Sequence, residues 1–285
     1  MKNEITSRFW DHIDGALVIN LDEREDRWSE VKEVLEGFIP AGKYERLSAV
    51  NGKSIEGYGQ RPWFTGRAKD FRWAGRAGCT LSHRKALEEG LRRGWESFLI
   101  LEDDLALGSL PEGFMDRLAD VVFEEVTDWD LCYLGFTNPR GPASLIQQVG
   151  DKYSLCRIRG ALTTHAYLVK APLARWLLER LPSEETIWSW CAGRRIIDRW
   201  YSRNISNSHK VCCISPSLLI QAPSYSDLVG RTADDWASPE IISQIPPSKV
   251  DPSFEKIKWW LSGCWCRILN GYDLCRGIVK RLRGF

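Results

Sequence analysis

The sequence has no CxxC pair among its nine cysteines and only four histidines. That excludes the spacings of zinc ribbons and thioredoxin-type sites, and it leaves too few imidazoles for a histidine metal cage. No stretch reaches the ~18 uninterrupted apolar residues of a spanning helix. Residues 1–14 are polar and charged, without the apolar core of a cleaved secretion signal. A cytoplasmic protein with reduced thiols is therefore expected. The charge has no dominant sign: 39 basic against 38 acidic residues give +1. Such a balance argues against a general nucleic-acid binder and against an acidic disordered chain. Internal repeats and low-complexity segments are absent as well.

What is present is ordinary globular material, 44% hydrophobic and 27% charged over 285 residues, enough for one large domain or two small ones. Tryptophan is frequent at 14, and its ring suits carbohydrate and membrane surfaces. The apolar run Gly15–Leu21 reads as a buried strand, and Asp26–Phe38 as a helix with Trp28, Val31, Val34 and Leu35 on one face. Tyr44–Val50 is a second strand, closed by the turn pair Asn51-Gly52. Residues 53–76, rich in glycine, arginine and aromatics, read as a long loop. A helix over Gly78–Arg93 and a strand over Ser97–Leu101 follow. Alternation of strand and helix points to an α/β fold with a mostly parallel sheet, whose ligands sit beyond the carboxyl ends of the strands. Further strands are expected at Asp130–Leu134, Ala166–Lys170 and Cys212–Gln221, the last weakened by Pro216, and a helix at Leu173–Leu181.

Three constellations stand out. Glu102-Asp103-Asp104 ends the strand at 97–101, and adjacent carboxylates there repel one another unless a cation such as Mg²⁺ or Mn²⁺ relieves them. On an extended backbone Glu102 and Asp104 share a side; an acidic turn capping the next element is the plainer reading. Asn20 to Arg27 follows the first strand, where Arg24 and Arg27 suit a diphosphate, or else ion pairs at an exposed helix start. Ser82 and His83, placed at the start of the helix over 78–93, suit an anion, or a hydrogen bond to backbone.

Taken together, Val18-Ile-Asn-Leu-Asp22 with Arg24 and Asp26-Arg27, Ala49-Val-Asn-Gly52, Ala77-Gly-Cys79 with Ser82-His83, and Leu99-Ile-Leu-Glu-Asp-Asp104 resemble glycosyltransferase family 25. The likeness continues through Asp128-Trp-Asp-Leu131, Tyr133, Gly135, Ala166-Tyr-Leu-Val169 and Ile197-Asp198, and on to Gln221 and Ser226-Asp227. The resemblance implies a GT-A-like nucleotide-sugar-binding fold and metal-dependent transfer with inversion, most simply of galactose from a UDP-sugar to a glycan hydroxyl. Surface-glycan or lipopolysaccharide synthesis is the implied setting. It further implies Asn20, Leu21, Arg24, Arg27, Asn51, Ser82, His83, Glu102 and Asp103 around the nucleotide. Asp104 with Glu102 would hold Mn²⁺ or Mg²⁺, and Asp198, with Asp227 in reserve, would be the base. Where the family pattern continues with a further acid, this chain has Arg199. The acidic cluster also suits a phosphoesterase or nucleotidyltransferase, and a non-catalytic glycan-binding relative is the third reading. The aromatic loop with Trp63, Phe64, Phe71 and Trp73 suits a lid, or equally a loop packed on the body.

Residues 1–245 are expected to form the glycosyltransferase-like domain and 246–285 a basic helical tail. Ile257, Leu261, Cys264, Ile268, Tyr272, Cys275, Val279 and Leu282 make an apolar stripe at helical period. Seven basic residues from Lys256 to Arg283 oppose only Glu255 and Asp273. The stripe suits the anionic inner face of a membrane, the enzyme's own body, or a second subunit in a homodimer.

Overall fold

The computed structural model describes residues 7–64, 71–193, 196–222, 225–226, 231–232, 245 and 252–282. Six strands form the main sheet: β1 (Gly15–Asn20), β2 (Tyr44–Ser48), β3 (Ser97–Glu102), β5 (Leu131–Val149), β6 (Tyr153–Lys170) and β7 (Val211–Ser215), in the order β2-β1-β3-β6-β5-β7. β1 pairs in parallel with both β2 and β3, and β5 with β7. β6 runs against β3, β5 and β7, so five strands point one way and β6 alone the other. A short β4 (Leu105–Leu107) pairs with β8 (Leu219–Gln221) beside the sheet. A two-stranded ribbon joins Tyr225–Ser226 to Arg231–Thr232.

Alternation along the strands sends side chains to both faces, and both are buried. Leu17, Ile19, Phe98, Ile100 and Tyr167 face one layer, where α2 (Phe71–Arg92), α4 (Ala171–Leu178), α5 (Ile187–Ala192) and α6 (Ile197–Asn204) lie. Ala16, Val18, Leu99, Leu101 and Leu168 face the other, covered by α1 (Glu25–Glu36), α3 (Phe114–Ala119) and the amino-terminal Phe9 and Trp10. The result is an α/β/α sandwich with a mixed but mostly parallel sheet.

Three expectations are corrected. The stretch 53–76 is not loop throughout, because α2 already begins at Phe71; the turns over 51–64 precede it. Phe64 is buried and packs edge-on against Trp188 and Trp73, which is packing on the body. Residues 65–70 lie outside the described residues. The strands expected at 130–134 and 166–170 are the inner ends of a long hairpin, β5 with β6, whose outer part is half-exposed on β5 and mostly buried on β6 and has no continuous apolar run to announce it. Finally, Cys212–Gln221 is two strands, with Pro216 between them; Leu219–Gln221 leaves the main sheet for β4.

The tail is one helix, α7 (Pro252–Leu282). It docks on the body through a face of small and polar residues. Asp273 is buried in an ion pair with Arg203 at 2.5 Å, and Asn270 donates to Asn204 at 2.9 Å. Arg159 reaches the Trp259 carbonyl at 3.3 Å. A Cβ on Gly277 would stand 3.3 Å from Gly193, so a side chain there would push the helix outward. The apolar stripe faces the other way: Leu261, Ile268 and Tyr272 are each more than half exposed. Among the described residues, the body of the protein leaves these stripe residues uncovered.

Candidate active site

β1, β2 and β3 are neighbouring parallel strands, and a cavity of about 370 Å³ opens where their carboxyl ends meet α2. Its wall comprises Leu21, Glu23 and Arg27 after β1, Val50 to Lys53 after β2, Glu102 to Asp104 after β3, and Gly75, Gly78, Cys79, Ser82 and His83 on α2. Gln221 of β8 closes one side. The turn after β2 approaches α2 closely because both surfaces lack side chains there. A Cβ on Gly78 would lie 2.5 Å from the Val50 carbonyl, and one on Gly52 would collide with the Ala74 carbonyl.

The three consecutive carboxylates occupy three different environments. Asp103 points back toward β1 and α1, where Asn20 Nδ2 donates at 2.7 Å and Arg27 Nη1 at 2.8 Å. Burial pushes its carboxyl up, and these two donors pull it down without overcoming that rise. Glu102 turns the opposite way. Its Oε1 accepts from Thr164 Oγ1 at 3.0 Å and lies 3.2 Å from His83 Nε2. Burial would raise this carboxyl too, but His83, helped by His165 and the Thr164 hydroxyl, more than offsets it, and the group sits below the ordinary value. With Nε2 donating to Glu102, His83 Nδ1 is free to accept from the Tyr167 hydroxyl at 3.1 Å.

Asp104 differs from both. Gln221 donates to its Oδ2 at 3.2 Å, while its Oδ1 is sealed from solvent with no hydrogen-bond partner among the described residues. Burial, reinforced by the Glu102 charge, pushes its carboxyl up to about 7. An orphaned, buried carboxylate oxygen costs free energy that a hard cation would remove, so the residues present fit a divalent ion at Asp104. Among the described residues the group of three whose ligand atoms lie within 4.8 Å of one another is Cys79, His83 and Glu102. Glu102 thus turns to this group and Asp104 stands beside it.

The other expected residues separate clearly. Leu21, Arg27, Asn51, Ser82 and His83 line the cavity. Asn20 is buried behind it, tying Asp103 to Arg46, which donates to Asn20 Oδ1 at 2.7 Å. Arg24 lies outside the wall and pairs with Asp26 at 2.9 Å, the exposed helix-start pairing. Ser82 and His83 do not sit at a helix start, since α2 begins at Phe71, eleven residues before Ser82; the helix-terminus reading is withdrawn. Ser82 instead donates to the Gly78 carbonyl at 2.7 Å and accepts from the Val50 N–H at 2.8 Å. It therefore holds the cavity wall together.

Asp198 lies on the first turn of α6, off the cavity wall, and accepts from the Thr163 and Arg199 backbone N–H groups at 3.3 and 2.5 Å. Burial is the main reason its carboxyl is raised, with the Glu102 charge adding to it. Thr163 has a φ of 60°, a sparsely populated conformation for a β-branched residue, and it aims that N–H at the carboxylate. Asp227 lies outside the described residues. Sequence reasoning missed Lys53 and Thr164, neither of which belongs to a local pattern, and it quoted Cys79 within a motif without giving it a role; all three reach the site through the fold.

All nine cysteines are free. Among the described residues no helix is long and apolar enough to cross a membrane.

A family model described as glycosyltransferase family 25 (LPS biosynthesis protein) matches residues 13–133. Procollagen galactosyltransferase 1 of Danio rerio is 31% identical over 133 residues, covering 43% of this chain and 21% of the relative. The probable inactive glycosyltransferase 25 family member 3 of Bos taurus is 29% identical over 133 residues, covering 43% and 22%. This chain thus spans about a fifth of the length of these curated relatives. Mannose-1-phosphate geranyltransferase from Thermus thermophilus aligns with a TM-score of 0.34 at 12% identity over 73% of this chain and 74% of that one, too distant to define the fold. The segment 13–133 contributes all four carboxylates of the cavity wall, Glu23 and Glu102 to Asp104, and the family it matches is the one that the motifs resemble, glycosyltransferase family 25.

Proposed function

We propose that the protein is a metal-dependent inverting glycosyltransferase of GT-A-like organisation, moving a hexose, most simply galactose from UDP-galactose, to a glycan hydroxyl in surface-glycan synthesis. The observation that carries this reading is the orphaned Asp104 Oδ1 at the carboxyl end of β3, beside a cavity that also holds Arg27 and Lys53. Asp104, with Glu102 alongside, would hold Mn²⁺ or Mg²⁺. When bound, such an ion neutralises charge on a departing nucleoside diphosphate. Lys53 offers positive charge to the diphosphate, while Arg27, its charge shared with Asp103, and Asn51 line the same wall and would orient the nucleotide. Asp198, its carboxyl raised and held by two backbone donors, is suited to take the acceptor's proton. As it does so, the acceptor oxygen bonds to the anomeric carbon and the bond from that carbon to the diphosphate oxygen breaks. General-base help of this kind contributes about 10²–10⁴-fold.

A second reading has its own support, because a relative of similar identity bears the description "probable inactive": the chain binds a sugar nucleotide without turning it over. Calorimetry with UDP and Mn²⁺, followed by a panel of nucleotide sugars and glycan acceptors, separates the two. Donor binding that is lost in Asp104→Ala, with transfer lost and binding kept in Asp198→Asn, is expected. Normal transfer by Asp198→Asn would move the base elsewhere, and unchanged UDP–Mn²⁺ affinity in Asp104→Ala would remove the metal assignment. Donor binding without transfer to any acceptor would favour the non-catalytic reading.

A further inference from the structure

We propose that α7 is a preformed docking face for an anionic lipid surface, held on the body in the orientation that presents it. The starting observation is an inversion of the usual amphipathic arrangement. Surface helices bury their apolar stripe and expose the polar side; α7 does the reverse. Its small and polar face is tied to the body through Asp273–Arg203 and Asn270–Asn204 and by the close approach of Gly277 to Gly193. Its apolar face is left in solvent: Trp260, Leu261, Trp265, Ile268, Tyr272 and Leu282 are 54–69% exposed. At about 100° per residue these side chains, with Ile257, Leu274 and Ile278, sweep roughly half of the helix circumference. A contiguous apolar surface of this kind marks an interaction site.

Charge decides the occupant. Lys256 and Arg267 border the apolar face on one margin, and Lys258 and Arg276 on the other. Asp273 is the single acid among the described side chains of α7, and it is turned inward to Arg203. A symmetric pairing with a second copy of the chain would lay basic margins against basic margins with no acid among the described side chains of the helix to relieve them. An anionic bilayer surface complements both features at once. Indole and phenol rings favour the headgroup boundary, and each basic residue near such a surface strengthens partitioning about fivefold. With no spanning helix among the described residues, the helix would lie in the interface plane.

The test uses the full chain and two kinds of vesicle, phosphatidylcholine with phosphatidylglycerol and phosphatidylcholine alone. Co-sedimentation with the anionic vesicles only, weakening with salt, and a blue-shifted tryptophan emission are expected. Trp260→Ser with Ile268→Ser should reduce partitioning at least about tenfold, and Lys256→Glu with Arg267→Glu by a similar factor. All four positions are exposed, so thermal melts of these variants should match the parent. Equal binding to neutral vesicles, no binding to either kind, or variants that bind like the parent would each overturn the proposal. So would a dimer in solution that the Trp260→Ser, Ile268→Ser variant converts to monomer, since the occupant would then be a second copy. Vesicle binding needs no turnover, so this outcome is independent of the catalytic reading.

Discussion

Asp103 and Asp104 are chemical neighbours with opposite fates. Asp103 spends its charge on Arg27 and Asn20; Asp104 retains an oxygen that nothing among the described residues satisfies. The sequence showed an acidic run but not this division, because Arg27 and Asn20 lie 76 and 83 positions away and only the parallel pairing of β1 with β3 brings them together. A pH dependence follows from Asp104. Its folded value of about 7 lies above the ordinary 3.8, so the folded protein holds this proton more tightly than the unfolded chain does. The group therefore subtracts stability progressively as pH rises from about 4 to about 7, and the full penalty persists above that. Asp104→Asn is expected to raise the melting temperature of the metal-free protein at pH 8 and to leave it unchanged near pH 3. Since a cation needs the ionised carboxylate, Mn²⁺ affinity of the parent protein should climb with pH and level off above about 7. Calorimetric titrations across that range check this; affinity that does not change with pH would take Asp104 out of the ligand set.

At the scale of elements, the first hundred residues were the most readable. Gly15–Asn20 and Ser97–Glu102 are continuous apolar runs with sharp polar ends, and both strands form where expected. The apolar period of α2 starts only near Gly78, because its first turns, with two arginines and a glycine in Phe-Arg-Trp-Ala-Gly-Arg, carry none. Periodicity alone therefore places Ser82 and His83 at a helix start, whereas they lie in the middle of α2. Contact between α2 and the turn after β2 gives a paired prediction. Gly78→Ala places a methyl 2.5 Å from the Val50 carbonyl, and should cost about 1–3 kcal/mol together with a loss of nucleotide affinity as the wall shifts. Gly271→Ala, in α7 with nothing within 4 Å, should stabilise by up to about 1 kcal/mol. Urea denaturation of both variants decides it; two changes of the same sign would contradict the packing described.

Over the whole molecule, the near-zero net charge conceals a strongly basic tail on a net acidic remainder, and the structure keeps the two in contact through Arg203 and Asp273. The tail's helical period was legible, but the face it would bury was not. Apolar spacing alone favours the stripe, whereas Gly193, Arg203 and Asn204 on the body accept the polar side. The sheet has a consequence of another kind. Within the main sheet, the pairing of β6 with β3 is the hydrogen-bonded joint between the cavity-bearing strands and the long hairpin with β7, and the short β4–β8 pair is a second link beside it. Residues Ala166 to Val169 of β6 have a partner on each side, Leu101 to Phe98 and Gly135 to Leu131. Such a seam makes unfolding of either half visible at one place. Amide protons of Ala166–Val169 should exchange as slowly as any in β1, through global opening alone. Faster exchange there than in β1 would mean that the sheet parts along this line, with the nucleotide half and the hairpin half living as separate cooperative units.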